Sequence, residues 1–324
     1  MGNKIQDETE LIISVVKKYY EMGMTQDQIS NEEFISKSTV SRLLKKAVES
    51  GIVSFQLNSP LNSIVDIQKG FKEEFGFDNI HVAPTFTDNP ETKLRDTCRI
   101  VAKDLCDIIR PDDTLGVGWG SHIEQLANIF SSEIVLKRKC SKVVLLNGSI
   151  ASNANSTRSS YIVREFAEFF SADGYIMPVP LIVDKEETAE LIRNDSHISY
   201  VFDYGREARI AVFSIGDASS QSVLRTRGAY TEEEYEMVLS KGAIGDILGY
   251  CYKFSGVPVT SPINRRIIGI TLDELKNKEY RIGIAIGVRK AKAIIGALRS
   301  RIINHLYTDS DTAKEVLRIF RSVK

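Results

Sequence analysis

Residues 112–127 read DDTLGVGWGSHIEQLA. Residues 114–118 have the apolar character of a buried strand, Gly116, Gly118 and Gly120 break it into a turn, and a helical pattern follows over Ile123–Phe130. Strand, glycine turn and helix form the repeating unit of an α/β fold. The same arrangement aims backbone N–H groups and a helix N-terminus at an anion. It is not a Walker A loop, because no GxxxxGK[ST] occurs. Nor is it GxGxxG, because the third glycine comes one residue early. Nucleotide binding is therefore unsupported. Gly118, Trp119, Gly120 and Ser121 make either a tight turn with Trp119 in the core or one wall of a ligand site.

From about residue 78 onward, apolar strands alternate with amphipathic helices, the pattern of a mostly parallel sheet covered on both faces. Expected strands are 80–83, 114–118, 142–146, 209–214, 267–270, 281–286 and 305–308. Helices are expected over Thr92–Ile109, Ile123–Phe130, Tyr161–Phe170, Glu232–Ser240, Lys290–Leu298 and Ser310–Phe320. Two more strands run into small residues, one at Asn147, Gly148 and Ser149, the other at Gly287 shortly before Lys290. Loops at the carboxyl ends of parallel strands form the ligand crevice where strand order reverses. All three loops can thus converge on one small anion, with Lys290 adding a full charge, and charge-assisted bonds contribute ~1.5–3 kcal/mol each. Lys290 could otherwise be a solvated surface residue. Arg158, Arg164 and Arg289 are further cations for a second phosphate. In KGAIGDILGYCYKFSG (241–256), a region that reads as partly helical, Asp246 either accepts hydrogen bonds from sugar hydroxyls or caps a helix.

Ahead of this lies a compact helical unit. Leu11, Ile12, Val15, Val16, Tyr19 and Tyr20 mark a first helix ending near Gly23. Thr25 and Gln28 form a capping-box pattern, Ser36 is a good N-cap for a third helix, and Gly51 suits its end. TQDQISNEEFISKSTVSRLL (25–44) fits a helix-turn-helix. Residues 1–50 hold seven Lys/Arg against eight Asp/Glu, yet 37–46 hold Lys37, Arg42, Lys45 and Lys46 with no acid. Lys37, Ser38, Thr39, Ser41 and Arg42 are the expected readers of base edges in a major groove. Lys45 and Lys46 would hold phosphates, and Thr25 and Gln26, which open the preceding helix, are further expected DNA-binding residues. A three-helix interaction module with a basic face is the alternative. Glu33 and Phe34 stand where Leu and Gly are usual before such a turn, so Phe34 is expected to take over packing. A strand is expected over 52–57 and a linker over 58–63. The boundary thus divides 1–57, a DNA-binding unit, from 58–324, an effector-binding and oligomerisation domain.

The chain has 324 residues, of which 43% are apolar, enough for two domains with sizeable cores. Lys+Arg number 42 and Asp+Glu 43, a net charge of −1, so no global field advertises a polyanion and any such partner must meet a local patch. Cys98, Cys106, Cys140 and Cys251 lack CxxC spacing and read as free thiols, and His81, His122, His197 and His305 are equally scattered. No metal or cofactor is expected. The first residues are polar and no run of about 18 apolar residues occurs, so a cytoplasmic protein without membrane contact is expected.

TQDQIS…SKSTVSRLLKKAVESGIV, GVGWGSHIEQLA, GAIGDILGYCYKFSG and IGIAIGVRKAKAIIGALRSRIINHLYTDSDTAKEVL stand in an order that resembles the SorC family of sugar-responsive transcriptional regulators over nearly the whole chain. The resemblance implies an α/β effector domain of the NagB/RpiA type behind the helix-turn-helix, a phosphorylated sugar as effector, operator DNA as partner, and homotetramers built as dimers of dimers. It matches Gly118, Trp119, Gly120 and Ser121 to the first effector loop, Asp246 to the acid facing sugar hydroxyls, and Lys290 to the phosphate-side lysine. The chain departs from the family at Ile286 before Gly287 and at Gly148-Ser149, where two glycines are common. One relative forms an imine at a lysine where this chain has Asn147, and an amide cannot be that nucleophile. The expected function is a non-enzymatic regulator of carbohydrate genes, with repression the expected sign. The rival is a sugar-phosphate isomerase or deaminase with an accessory DNA-binding unit, for which neither His122 nor His305 has an evident partner in the sequence.

Overall fold

The computed structural model describes residues 2–53, 62–134, 138–150 and 158–323, the side chains of 2–8 and 62 excepted. The chain divides into two compact units, Met1–Pro60 and Leu61–Lys324. Residues 54–57 of the expected strand and 58–61 of the expected linker lie outside the described residues. Asn62 and Ser63, expected in that linker, instead open a helix.

The smaller unit is helical. α1 (Gly2–Val16) continues through a π-helical turn (Lys17–Glu21), followed by α2 (Gln26–Glu32) and α3 (Lys37–Glu49). The side chain of Thr25 accepts from the Gln28 amide and the Gln28 side chain returns the bond to Thr25, so the capping box forms. Ser36 Oγ accepts from the Thr39 amide at the start of α3. Ile12, Val15, Ile29, Val40, Leu43, Leu44 and Ala47 make a separate core. Phe34 does not join it. Its backbone is left-handed, with φ 53°, and its ring is 95% exposed, while the half-buried Ile35 packs inward.

The larger unit runs α4 (Asn62–Phe75), β1 (Ile80–Ala83), α5 (Pro90–Ile108), β2 (Thr114–Val117), α6 (Ser121–Ser132), β3 (Lys142–Leu145), α7 (Ser159–Phe170) and β4 (Asp173–Tyr175). It continues through α8 (Glu186–Asn194), α9 (Ser199–Glu207), β5 (Ile210–Asp217), α10 (Val223–Thr226), α11 (Glu232–Ser240), β6 (Ala243–Ile247) and β7 (Tyr250–Lys253). The last elements are α12 (Ile263–Arg266), α13 (Leu272–Lys276), β8 (Tyr280–Ile284), a 3-10 turn (Val288–Lys290), α14 (Ala291–Ser300), β9 (His305–Asp309) and α15 (Ser310–Ser322). The sheet order is β1-β9-β8-β5-β2-β3-β4, and these strands pair in parallel. Alternation along β5 shows both faces covered: Ala211, Phe213 and Ile215 enter one core with Phe71, Ile294 and Val316, while Ile210 and Val212 enter the other with Leu105, Leu126 and Phe166.

Two further expectations fail. Residues 267–270 form no strand of the sheet: Ile267 and Gly269 make only isolated bridges, to Ile182 and Asn147. The stretch around Asp246 is not helical. It is the hairpin β6–β7, turned by Leu248 and Gly249 at φ 52° and 91°, the positive-φ pair of a two-residue hairpin loop. The second half of β5 carries this hairpin: Ile215, Gly216 and Asp217 pair antiparallel with Ile247, Asp246 and Gly245.

Candidate functional site

Strand order reverses between β2, whose chain proceeds to β3 and β4 on one side, and β5, whose chain proceeds to β8 and β9 on the other. The crevice outside that switch point is where an open parallel sheet binds ligands. A cleft of about 130 Å³ opens there, walled by the loops after β2, β5 and β8, by Asn147 after β3, and by the β6–β7 hairpin.

Six of the ten expected effector residues line it: Trp119, Gly120, Ser121, Asn147, Asp246 and Lys290. Gly118, Gly148, Ser149 and Gly287 are not among the lining residues, and each has another task. A Cβ on Gly118 would press on Phe213 and Leu248 at 3.1 and 3.2 Å, so its smallness seats β2 against β5. A Cβ on Gly148 would lie 2.4 Å from the Pro180 carbonyl oxygen. Trp119 Nε1 donates to the Gly148 carbonyl at 2.9 Å, which ties the first loop to the second. Ser149 Oγ donates to Ser159 Oγ at 2.8 Å. The Gly287 N–H donates to Asp309 Oδ2 at 3.1 Å and to Thr312 Oγ1 at 2.8 Å.

Asp246 sits on β6 opposite Gly216, and a Cβ on that glycine would stand 1.9 Å from Asp246 Oδ1. The carboxylate therefore lies over a residue with no side chain, and the Gly249 amide donates to its Oδ2 at 3.3 Å. The hairpin turn is fixed from behind by the Tyr230 hydroxyl, which donates to the Gly249 carbonyl at 2.8 Å. Burial pushes the Asp246 carboxyl up to about 6, against the pull of Lys290. Lys290 is itself buried at the start of α14, donates from Nζ to the Ile215 carbonyl at 2.7 Å, and is lowered to about 8 by that burial, with Asp217 and Asp246 opposing the shift.

The sequence reading missed Ser214, Gly216, Asp217, Gln221 and Ser222, all of which line the cleft. Their signal was a strand running into small residues, SIGDASSQS, the same signal that marked the other loops. It went unread because the strand was expected to stop at 214. Arg289, considered only for a second phosphate, lines the cleft with its Nε 3.6 Å from Asp217 Oδ1. His122 lines it too, buried, with Nδ1 3.3 Å from the Ile284 carbonyl and its basicity strongly depressed by burial and by Lys290. Arg158 and Arg164 are spent elsewhere, on Glu124 and Glu165.

Among the described residues, three buried side-chain atoms without a hydrogen-bond partner belong to this cleft: Asn147 Oδ1, Ser214 Oγ and Asp217 Oδ2. Buried polar atoms are normally satisfied, and an orphan costs ~1–3 kcal/mol. All three accept hydrogen bonds, as a polyhydroxylated ligand requires.

In the smaller unit, Lys37, Ser38, Ser41, Arg42, Lys45 and Lys46 are exposed along α3 and Thr39 is half-buried. The hydroxyls of Ser38 and Thr39 each lie 2.8 Å from Ser36 Oγ. Lys37 Nζ donates to Asp27 Oδ2 at 2.8 Å, which joins α3 to α2, and Lys45 lies 3.6 Å from Glu49. Thr25 is the N-cap of α2 and Gln26 its first residue.

A family model described as "Putative sugar-binding domain" matches residues 59–318. The deoxyribonucleoside regulator of Bacillus subtilis is 31% identical over 312 residues, covering 96% of this chain and 98% of that protein. The transcriptional regulator LsrR of Klebsiella pneumoniae is 32% identical over 320 residues, covering 96% and 94%. The crystal structure of the full-length sorbitol operon regulator SorC from Klebsiella pneumoniae superposes with a TM-score of 0.76 at 26% identity, covering 95% of this chain and 98% of that one. The match spans nearly the whole chain in sequence and in fold, and the chain belongs to the SorC family of sugar-binding transcriptional regulators.

Proposed function

We propose that residues 1–57 bind double-stranded operator DNA, that residues 58–324 bind the effector and assemble the protein into a dimer or tetramer, and that the effector is a phosphorylated sugar. The observation that carries the effector reading is the composition of the cleft: three orphaned acceptor atoms and the Asp246 carboxylate for hydroxyls, beside Lys290, Arg289 and the N-terminus of α6 for a phosphate. Gly120, at the N-cap of α6, supplies no side-chain cap, which leaves the first amides of the helix to an anion. In the DNA-binding unit the readers are Lys37, Ser38, Thr39, Ser41 and Arg42, with Lys45, Lys46, Thr25 and Gln26 on the backbone. Two copies of α3 must stand ~34 Å apart to read both half-sites, which favours an oligomer acting in the cytoplasm. Light scattering that finds only monomers, with and without DNA, would remove that part of the reading.

The protein is read as a sensor without turnover. Lys290 Nζ is engaged by the Ile215 carbonyl and His122 Nδ1 by that of Ile284. Isomerisation of aldose or ketose phosphates that disappears in Asp246→Asn would reverse this. The direct test is thermal unfolding against phosphorylated and free sugars. A ligand at ~100 times its Kd adds ~2.7 kcal/mol. Stabilisation by a sugar phosphate, absent with the free sugar and in Lys290→Ala, is expected; stabilisation by free sugars alone would sink the phosphate assignment.

A further inference from the structure

Gly287 begins the loop that carries Arg289 and Lys290 into the cleft, yet its N–H faces away, toward Asp309 and Thr312. Asp309 is the N-cap of α15, and its two carboxylate oxygens serve different masters. Oδ1 accepts from the amides of Asp311 and Thr312, at 3.1 and 3.0 Å, as a helix cap does. Oδ2 accepts from the Gly287 amide and from the Thr312 hydroxyl. Asp309 is 1% exposed and Thr312 fully buried, so water does not compete for these bonds and the carboxylate is held by charge-assisted contacts on both sides. An ordinary cap would use one oxygen and leave the other to solvent.

Beyond its first turn, α15 lies on α4, the first element of the larger unit. A Cβ on Gly70 would stand 2.9 Å from Leu317 Cδ1, so the two helices are in close contact at that point. The rings of Phe75 and Phe320 have centroids 4.2 Å apart, and Arg321 Nε donates to Glu74 Oε1 at 3.1 Å. The helix that Asp309 caps is thus packed on the C-terminal half of α4.

We propose that Asp309, with Thr312, is the positioning residue of the cleft loop: it fixes where Arg289 and Lys290 stand and passes a displacement of that loop to α15 and α4. This rests on the reading of the cleft as the effector site. Asp309→Asn keeps an oxygen for the helix cap but sets an NH2 group against the Gly287 amide, so it removes one of the two acceptors of the Gly287 N–H and leaves Thr312 Oγ1 as the other, while sparing α15. Thr312→Val removes the hydroxyl at nearly constant shape, and Thr312→Ser restores it.

The test is hydrogen exchange on the full chain and needs no ligand. Asp217→Asn weakens the hold on Arg289 from within the cleft. Residues that share a network couple strongly enough for ~3-fold effects on local opening. Asp217→Asn is expected to speed exchange of the α4 amides by ~3-fold or more in the otherwise wild-type chain and in Thr312→Ser. In Asp309→Asn and Thr312→Val the acceleration should fall below half of that. Equal acceleration in all backgrounds, or none in the wild type, overturns the proposal. Should Thr312→Val fail to fold, Asp309→Asn decides alone. A chain that shows this coupling yet binds no sugar phosphate would refute the effector reading and leave the positioning role standing.

Discussion

At Phe34 a bulky residue occupies a left-handed backbone position and gains no burial in return. Left-handed backbone costs a non-glycine residue ~1–2 kcal/mol. Phe34→Gly is therefore expected to raise the melting temperature of the helical unit by several degrees, the larger unit unchanged, as read by calorimetry. No rise would mean the turn relaxes in solution. In the cleft, Asp246 and Lys290 make effector binding depend on pH in opposite directions. Sugar hydroxyls donate to the ionised carboxylate, so affinity rises as pH climbs through about 6, where Asp246 loses its proton. A phosphate prefers the ammonium form, so affinity falls as pH climbs through about 8, where Lys290 loses its charge. The profile should be bell-shaped between these values, reporting macroscopic steps of a coupled group. The same shifts act on the empty protein with their own signs. Asp246, raised above its ordinary value, contributes stability that is present at low pH and lost as pH rises through about 6. Lys290, lowered, contributes stability that is lost as pH falls through about 8. Isothermal titration of a sugar phosphate at several pH values decides the binding profile, and a flat one would show that neither group touches the ligand.

The strands after which the loops turn were legible because a buried parallel strand is a short apolar run bounded by small residues, and β1, β2, β3, β8 and β9 all have that form. The helices with a clear apolar stripe were legible from their 3.6-residue period, and α11 was legible to the residue although it buries only Tyr235 and Val238. The hairpin β6–β7 was not. Its turn is Leu248-Gly249 rather than Asn-Gly, and the hydrogen bond from Tyr230 to the Gly249 carbonyl holds it from outside, a contact no local pattern announces. That hairpin is what makes Asp246 a cleft residue instead of a helix cap. It also exposes Gly216, invisible in the sequence as a functional position, as the seat of the carboxylate. Gly216→Ala should push Asp246 out of place and weaken the sugar phosphate by ~10-fold or more, equal to losing one charge-assisted bond. Circular dichroism should stay unchanged, and Asp246→Ala on top should add little. Full additivity of the two changes in a binding cycle would show that Gly216 acts elsewhere.

Each of the two units has its own core, the smaller built on Val15, Ile29, Val40 and Leu44, the larger on two clusters flanking the sheet. Independent cores unfold independently unless an interface couples them. Calorimetry of the full chain is expected to resolve two transitions, and a saturating sugar phosphate should move only the one that belongs to residues 61–324. A single transition that moves as a whole would demonstrate strong coupling between the units in the absence of DNA.

The walls of the cleft differ in how freely they can change. Most polar contacts are locked by main-chain geometry: Asp246 by Gly216 and Gly249, Lys290 by the Ile215 carbonyl, and Trp119 by the Gly148 carbonyl. Gln221, Ser222, Val223 and Leu224 stand instead on a connection whose only regular piece is the four-residue α10. Mutations at the locked positions damage the sheet junction together with the ligand site, and Ser222 and Leu224 are buried, Leu224 in the core, whereas mutations at the exposed Gln221 and Val223 alter what the site accepts at small cost to folding. Diversification of ligand preference on this scaffold therefore has a cheap direction and an expensive one, and a library confined to Gln221 and Val223 is the economical place to search for altered response.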